Sequence, residues 1–287
     1  MGLPMAVSLS KFHPVLCFDL SDQSMKLAQN QALATADSVG EVASSCDTIV
    51  TMLPSDAAVH SVMPTILDQC PKNTLVLDCS TVSPSTSRHW HAQLELLSGH
   101  SFVDAPVSGG VKGAQNASLT FMVGCHQDVE PVVFQRVHSI LECMGERIIP
   151  CGGPGAGAAT KLCNNLALAA QMAGVCEAMN LGQALGVDPK VLASVMNTST
   201  AKCWASEVNN PHPLVAKETN APASNEYEGG FGSRLMLKDL TLAVDAGKKE
   251  HVALPIGAAT KELYQLVELR GMGGQDFGVL LQFLQGK

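Results

Sequence analysis

The chain has 287 residues, of which 46% are hydrophobic and 15% charged, and its formal net charge is −8. That length and apolar content imply one or two domains with a sizeable core, and charge this sparse implies surface hidden at a domain interface or in an oligomer. The acidic balance argues against non-specific nucleic-acid binding, which needs a basic footprint, but is compatible with a small anion held by a few placed donors.

In chain order, "MGLPMAVSLSKFHPVLCFDL" reads as a helical run, a short apolar strand and an acid. This is the pattern of the later part of a dinucleotide-binding unit, in which a strand feeds a G-x-G-x-x-G turn and the following helix points its N-terminus at the pyrophosphate. Gly2 fits the third glycine, and Asp19 fits the acid that bonds the ribose hydroxyls. The plainer reading is an ordinary first helix and an exposed strand-end aspartate. "PVLCF" and "TIVTMLP" are strand-like, the second stopped by Pro54. "AAVHSVMPTILDQC" reads as helical turns broken around Pro64, and "NTLVLDCST" as a strand closed by small polar residues. "SPSTSRHWHAQLELLSG" has the Ser and Pro of a helix start and ends at Gly99.

"SFVDAPVSGG" is a strand running into a glycine-rich loop at Ser108, Gly109 and Gly110. Backbone N–H groups in such a loop bind a carboxylate, and Ser108 adds a hydroxyl; a plain strand-turn is the alternative. "LTFMVGC" and "RIIPCG" complete a series of strands alternating with helices, the mark of βαβ units and a mostly parallel sheet. The texture changes after Pro150. "GGPGAGAATKLCNNLALAAQMAGVCEAMNLGQALG" predicts one long helix, poor in charge and buried along most of its length. The rest is helical, apart from a long polar loop, "ASEVNNPHPLVAKETNAPASNEYEGGFG". The expected organisation is an α/β dinucleotide-binding domain over 1–152 and a helical substrate and oligomerisation domain over 153–287.

Lys161 and Asn165 are four apart and share one face of the long helix. A lysine in the first turns of a buried helix is desolvated and opposed by the helix dipole. Both effects lower its pKa toward that of a general acid/base. A lysine snorkelling out of a domain junction is the competing reading. Lys238 and Asp239 follow a glycine hinge in "GGFGSRLMLKDLTLA", where a solvated ion pair is the simpler alternative. The ten cysteines are irregularly spaced without a C-x-x-C pair, which predicts buried reduced thiols rather than disulfides or a zinc site. No apolar run is long enough to span a membrane, and no charged segment with a following apolar stretch marks a signal peptide.

These segments together resemble the 3-hydroxyisobutyrate dehydrogenases of the β-hydroxyacid dehydrogenase family. The likeness is carried by "DAPVSGG", "LTFMVG", "GPGAGAATKLCNN", "EAMNLG" and "GGFGSRLMLKDL", and it extends over essentially the whole chain. "KCWASEVNNPHP" is similar to the branch acting on 3-hydroxyisobutyrate itself. The resemblance implies a Rossmann-type domain followed by a helical domain, NAD as cofactor, and oxidation of 3-hydroxyisobutyrate to methylmalonate semialdehyde in mitochondrial valine catabolism, with a cytoplasmic location as the alternative. It implies Lys161 as catalytic acid/base supported by Asn165, and Ser108, Gly109 and Gly110 around the substrate carboxylate. Leu53, Pro54 and Thr81 would line the cofactor, with Thr81 near the nicotinamide, and Lys238 would reach it from the helical domain. Asp19 matches the acid of NAD-using members; Leu20 and Ser21 follow where NADP-using members often carry arginine. A homodimer or homotetramer is implied, with a small hydroxy acid as the substrate and neither nucleic acid nor membrane as partner. Two alternatives stand beside this: a sister reductase of glyoxylate, tartronate semialdehyde or succinate semialdehyde, and a non-catalytic assembly module without cofactor binding. The family opens with a strand and G-x-G-x-M-G, whereas this sequence starts at M-G. The expectations are therefore a truncated product or late gene start, a gap in the sheet where that strand would lie, and weak dinucleotide binding.

Overall fold

The computed structural model describes every residue except Ser98, Val129 and Lys287. The helix read through to Gly99 and the helical half read through to Lys287 thus each contain one residue outside the described set. The chain divides into two compact units, Met1–Lys161 and Leu162–Lys287.

In the first unit strands and helices alternate: α1 (Gly2–Leu9), β1 (Leu16–Cys17), α2 (Asp22–Asn30), β2 (Ala34–Thr35), α3 (Val39–Ser45), β3 (Thr48–Thr51), α4 (Asp56–Gln69), β4 (Leu75–Asp78), α5 (Pro84–Glu95), β5 (Ser101–Asp104), β6 (Val107–Ser108), α6 (Gly110–Gln115), β7 (Leu119–Val123), α7 (Pro131–Leu141) and β8 (Gly145–Pro150). β1 pairs in parallel with β2. β3, β4 and β5 form a parallel sheet in that order. β7 lies between β6, antiparallel to it, and β8, parallel to it. Among the described residues no ladder joins the β1–β2 pair to β3–β5. This is the α/β class with mostly parallel strands that the alternation implies.

Serines start several helices: the hydroxyls of Ser21, Ser38, Ser55 and Ser83 accept the N–H groups of Ser24, Glu41, Ala58 and Thr86, filling donors that a helix N-terminus otherwise leaves open. The sheet residues alternate between two cores. Leu75, Leu77 and Val103 face a core shared with Met5 of α1 and with Phe121 and Val123, while Val76 and Phe102 face Val59, Met63, Trp90 and Leu94. A strand covered on both faces reads as a continuous apolar run, as "LVL" does.

Three assignments change. α4 runs through Pro64 without a break. Pro64 and His60 are both exposed, so the carbonyl four residues back that the ring leaves unbonded is on the side where water can serve it, and the helix continues. "SFVDAPVSGG" is two strands, β5 and β6, in different sheets, because the chain turns between Asp104 and Val107. The ten cysteines are free thiols, but Cys163 is exposed and Cys17, Cys46, Cys70, Cys151 and Cys203 are half-buried.

The long helix α8 (Ala156–Ala184) begins in the first unit and supplies the axis of the second. There follow α9 (Pro189–Thr198), α10 (Trp204–Glu207), α11 (Pro213–Thr219), α12 (Ser233–Lys249), α13 (Pro255–Leu269) and α14 (Leu280–Leu284), with 3-10 turns at Pro222–Asn225 and Phe277–Val279. Ala169, Met172, Cys176 and Met179 of α8 pack with Met236, Leu240, Tyr264, Phe277 and Leu280. The expectation that α8 is buried along most of its length does not hold for the single chain: Cys163, Ala167, Gln171, Gly174, Glu177 and Leu181 form an exposed stripe. The segment read as a long polar loop is also ordered. Tyr227, fully buried, donates its hydroxyl to Pro211 O at 2.6 Å. Buried Asp276 accepts Asn209 Nδ2 at 3.2 Å, Phe231 N at 2.9 Å and Gly278 N at 2.9 Å. The polar residues of this segment satisfy backbone and carboxylate groups inside the unit, which composition alone reads as solvent-facing.

Candidate active site

The C-terminal ends of β3 and β4 carry two of the sequence-predicted loops. Thr51 and Asp78 are partners in the ladder, so the segments Met52–Pro54 and Cys79–Thr81 leave the sheet side by side. They are tied directly: Leu53 N donates to Ser80 Oγ at 2.8 Å. Leu53 and Thr81 are half-buried and Pro54 is exposed. Gly2 is the first residue of α1, and a Cβ there would sit 3.8 Å from the Met52 side chain. Asp19 is exposed just beyond β1, and its Oδ1 accepts Ser21 N at 2.8 Å. In open parallel sheets ligands bind beyond the carboxyl ends of the strands. A helix start, an exposed acid and two tied loops gathered there fit a dinucleotide.

Ser108 ends β6, and Gly109 and Gly110 form the turn into α6 with φ of +132° and +63°. Such φ values are costly for any residue with a Cβ. Four residues before Ser108 stands Asp104, 2% exposed. Its Oδ1 accepts Gly155 N and its Oδ2 accepts Ala158 N, both at 2.8 Å. Burial raises its pKa, against the backbone hydrogen bonds that lower it. Asp104 therefore fastens the strand leading to the Ser108 turn to the first turn of α8. Gly157 allows this approach, since a Cβ there would run into Met122 O and come within 3.0 Å of Asp104 O.

Lys161 follows in the next turn of α8 and is 7% exposed; Asn165, a further turn on, is 2% exposed. Asn165 Nδ2 donates to Asp239 Oδ2 at 2.6 Å, and Asn164 Nδ2 donates to Asn165 Oδ1 at 3.1 Å. Lys238 and Asp239 are on α12, where Lys238 Nζ lies 3.5 Å from Asp239 Oδ1. The solvated pair is thus the wrong picture for Asp239, which is 3% exposed and part of the Asn165 network.

Sequence reasoning passed over three buried groups here: Asp78, Ser80 and Asp104. Asp78 is 0% exposed and Ser80 1%. Their signal was available, since "LVLDCST" and "SFVDAPV" each place an acid at the end of an apolar strand, where a charge needs a reason.

A parallel α/β unit with a dinucleotide-shaped strand end, continued by one long helix carrying a buried lysine into a helical unit, defines a Rossmann-type oxidoreductase. Comparison with known proteins narrows this. Residues 1–153 match the family profile described as the NAD binding domain of 6-phosphogluconate dehydrogenase. Residues 155–284 match the profile described as the NAD-binding domain of NADP-dependent 3-hydroxyisobutyrate dehydrogenase. Mouse mitochondrial 3-hydroxyisobutyrate dehydrogenase is 40% identical over 99% of this chain and 84% of its own. An NAD-dependent L-serine dehydrogenase of Pseudomonas aeruginosa is 39% identical over 98% and 93%. The solved structure of Mycobacterium tuberculosis 3-hydroxyisobutyrate dehydrogenase with L-serine superposes with a TM-score of 0.90 at 36% identity, covering 99% of this chain and 95% of that one. The chain belongs to the 3-hydroxyisobutyrate dehydrogenase family, and it is an oxidoreductase using a nicotinamide dinucleotide.

Proposed function

We propose that the protein oxidises 3-hydroxyisobutyrate to methylmalonate semialdehyde with NAD, in mitochondrial valine catabolism. The observation that carries this reading is Lys161, a lysine 7% exposed on α8 one turn before Asn165, itself anchored by Asp239. The nicotinamide ring, when bound, supplies the hydride acceptor. Lys161 Nζ takes the proton of the substrate hydroxyl as the adjacent C–H bond breaks. Asn165, fixed by its hydrogen bond to Asp239, orients the lysine and the substrate. Backbone N–H groups of the Ser108–Gly109–Gly110 turn and the Ser108 hydroxyl bind the substrate carboxylate. Gly2, Asp19, Leu53, Pro54 and Thr81 bind the dinucleotide, and Lys238 is a further cofactor-binding residue. In this reading residues 1–152 are the dinucleotide domain and 153–287 the helical substrate and oligomerisation domain.

A second substrate is favoured by a specific finding: a relative of 39% identity is an L-serine dehydrogenase, and the solved relative is described with L-serine. Serine and 3-hydroxyisobutyrate share a primary hydroxyl two carbons from a carboxylate, so one site can serve both. Steady-state assays with each substrate decide between them. A higher kcat/KM for 3-hydroxyisobutyrate supports the proposal, and a higher value for L-serine replaces it. The same assay with both dinucleotides tests Asp19. A 2′-phosphate would meet its carboxylate, so NAD is expected to give the higher kcat/KM; a clear preference for NADP would remove Asp19 from the ribose site.

A further inference from the structure

We propose that Asp78 is a positioning residue for the dinucleotide: through one carboxylate oxygen it holds the Leu53–Pro54 loop and the Thr81 loop in fixed relation. This rests on the reading that those two loops line the cofactor. Asp78 Oδ1 accepts Thr51 Oγ1 at 2.8 Å and Ser80 N at 3.1 Å. Ser80 Oγ in turn accepts Leu53 N at 2.8 Å, and Cys79 N donates to Thr51 O at 2.8 Å. Asp78 Oδ1 thereby joins the last residue of β3 to Ser80 on the second loop, and Ser80 Oγ carries the link on to Leu53 of the first. Thr51, Asp78 and Ser80 are 7%, 0% and 1% exposed, so water does not compete for these bonds.

The other oxygen of Asp78 is buried without a hydrogen-bond partner among the described residues. On the neighbouring strand its register partner is Asp104, a second buried carboxylate whose two oxygens are both filled. An apolar residue would continue the Leu75–Leu77 run and avoid both the bare oxygen and the adjacent charge. A costly acid therefore stands at the one point where the strand ends and the two loops begin. Asp104 fastens a helix; Asp78 spends one oxygen on the loops and leaves the other unused. What the position requires is the acceptor at Oδ1, and asparagine also supplies it.

The test combines hydrogen exchange with calorimetric titration of NAD, on the full chain with Asp78→Ala and Asp78→Asn. Asp78→Ala should speed exchange in peptides covering 51–56 and 78–84 by about tenfold or more, leaving 101–104 and 119–123 unchanged. It should also weaken NAD by about tenfold or more. Asp78→Asn should exchange no faster than the parent in either loop and should bind NAD within about threefold of it, because the acceptor is kept. Exchange that rises equally in all four segments, that does not rise in the two loops, or that Asp78→Asn fails to restore overturns the proposal. If Asp78→Ala does not fold, Thr51→Val and Ser80→Ala each cut one link and carry the same expectation. If the parent chain gives no NAD heat, the expectation of weak dinucleotide binding is met, and the exchange arm alone decides whether Asp78 holds the loops.

Discussion

Lys161 is the residue on which the proposed chemistry stands. Removing a general acid/base costs about two to four orders of magnitude in turnover, so Lys161→Ala should lower kcat by that much with little change in dinucleotide affinity. A loss smaller than about tenfold would show that some other group moves the proton. Asp78 makes a separate prediction about pH. Burial raises its pKa from 3.8 to about 6, with the Asp104 charge adding to the rise and the bonds from Ser80 and Thr51 opposing it. The adjacent Cys79 thiol is pushed up by burial and by the Asp78 charge. A carboxyl whose folded pKa lies above its unfolded value binds more protons in the native state. It therefore destabilises the protein above pH 6, and that cost fades as pH falls through 6 toward 4. The size is on the order of 3 kcal/mol, and Asp78→Asn removes it. Thermal unfolding should give the Asp78→Asn chain a higher Tm than the parent at pH 7.5 and nearly the same Tm at pH 4. Equal Tm values at pH 7.5 would mean that Asp78 is not strained by its charge.

At the scale of elements, the start of α8 is what brings the Ser108 turn and Lys161 under one control. Gly155 enters the helix at φ of +80°, and Asp104 takes two N–H groups of the first turn, where anions are favoured. Asp104→Asn keeps the shape but turns one acceptor into a donor aimed at an N–H, a loss of about 2–3 kcal/mol. Denaturant titration should show that loss, and the residual activity should fall in kcat more than in KM as the helix shifts. An unchanged midpoint would leave Asp104 without a role at the helix start. Pro64 gives the opposite lesson. A proline in a helix interior reads as a break, yet α4 continues because the residue sits on the solvent face. Nothing in the one-dimensional pattern says which way the freed carbonyl points.

For the whole molecule, the low charge fraction and the exposed apolar side chains of the helical unit support the proposed self-association. Leu181, Leu185, Val191 and Val195 are 60%, 72%, 57% and 56% exposed in the single chain, apolar side chains that association would take out of water. Light scattering at micromolar concentration is expected to give a dimer or tetramer mass; a mass near 30.1 kDa would exclude both.

The sequence by itself determined the class of fold, because the period of apolar residues switches between strand and helix and the glycines mark where strand becomes turn. It also determined Lys161 and Asn165 as a pair, since spacing of four along a helix places two residues on one face whatever surrounds them. Tertiary structure alone decided which acids are buried. Asp78 and Asp104 stand out in the sequence only as acids ending apolar strands, and Asp239 as half of a Lys-Asp pair; the fold alone closes around them and supplies Thr51, Gly155, Ala158 and Asn165 as partners. It likewise decided that the segment from Asn209 to Phe231 is packed, because the carboxylate that holds it, Asp276, lies dozens of residues further along. Periodicity is a local property and is written in the chain; the satisfaction of a buried polar group is a non-local one and exists only once the fold has brought its partner.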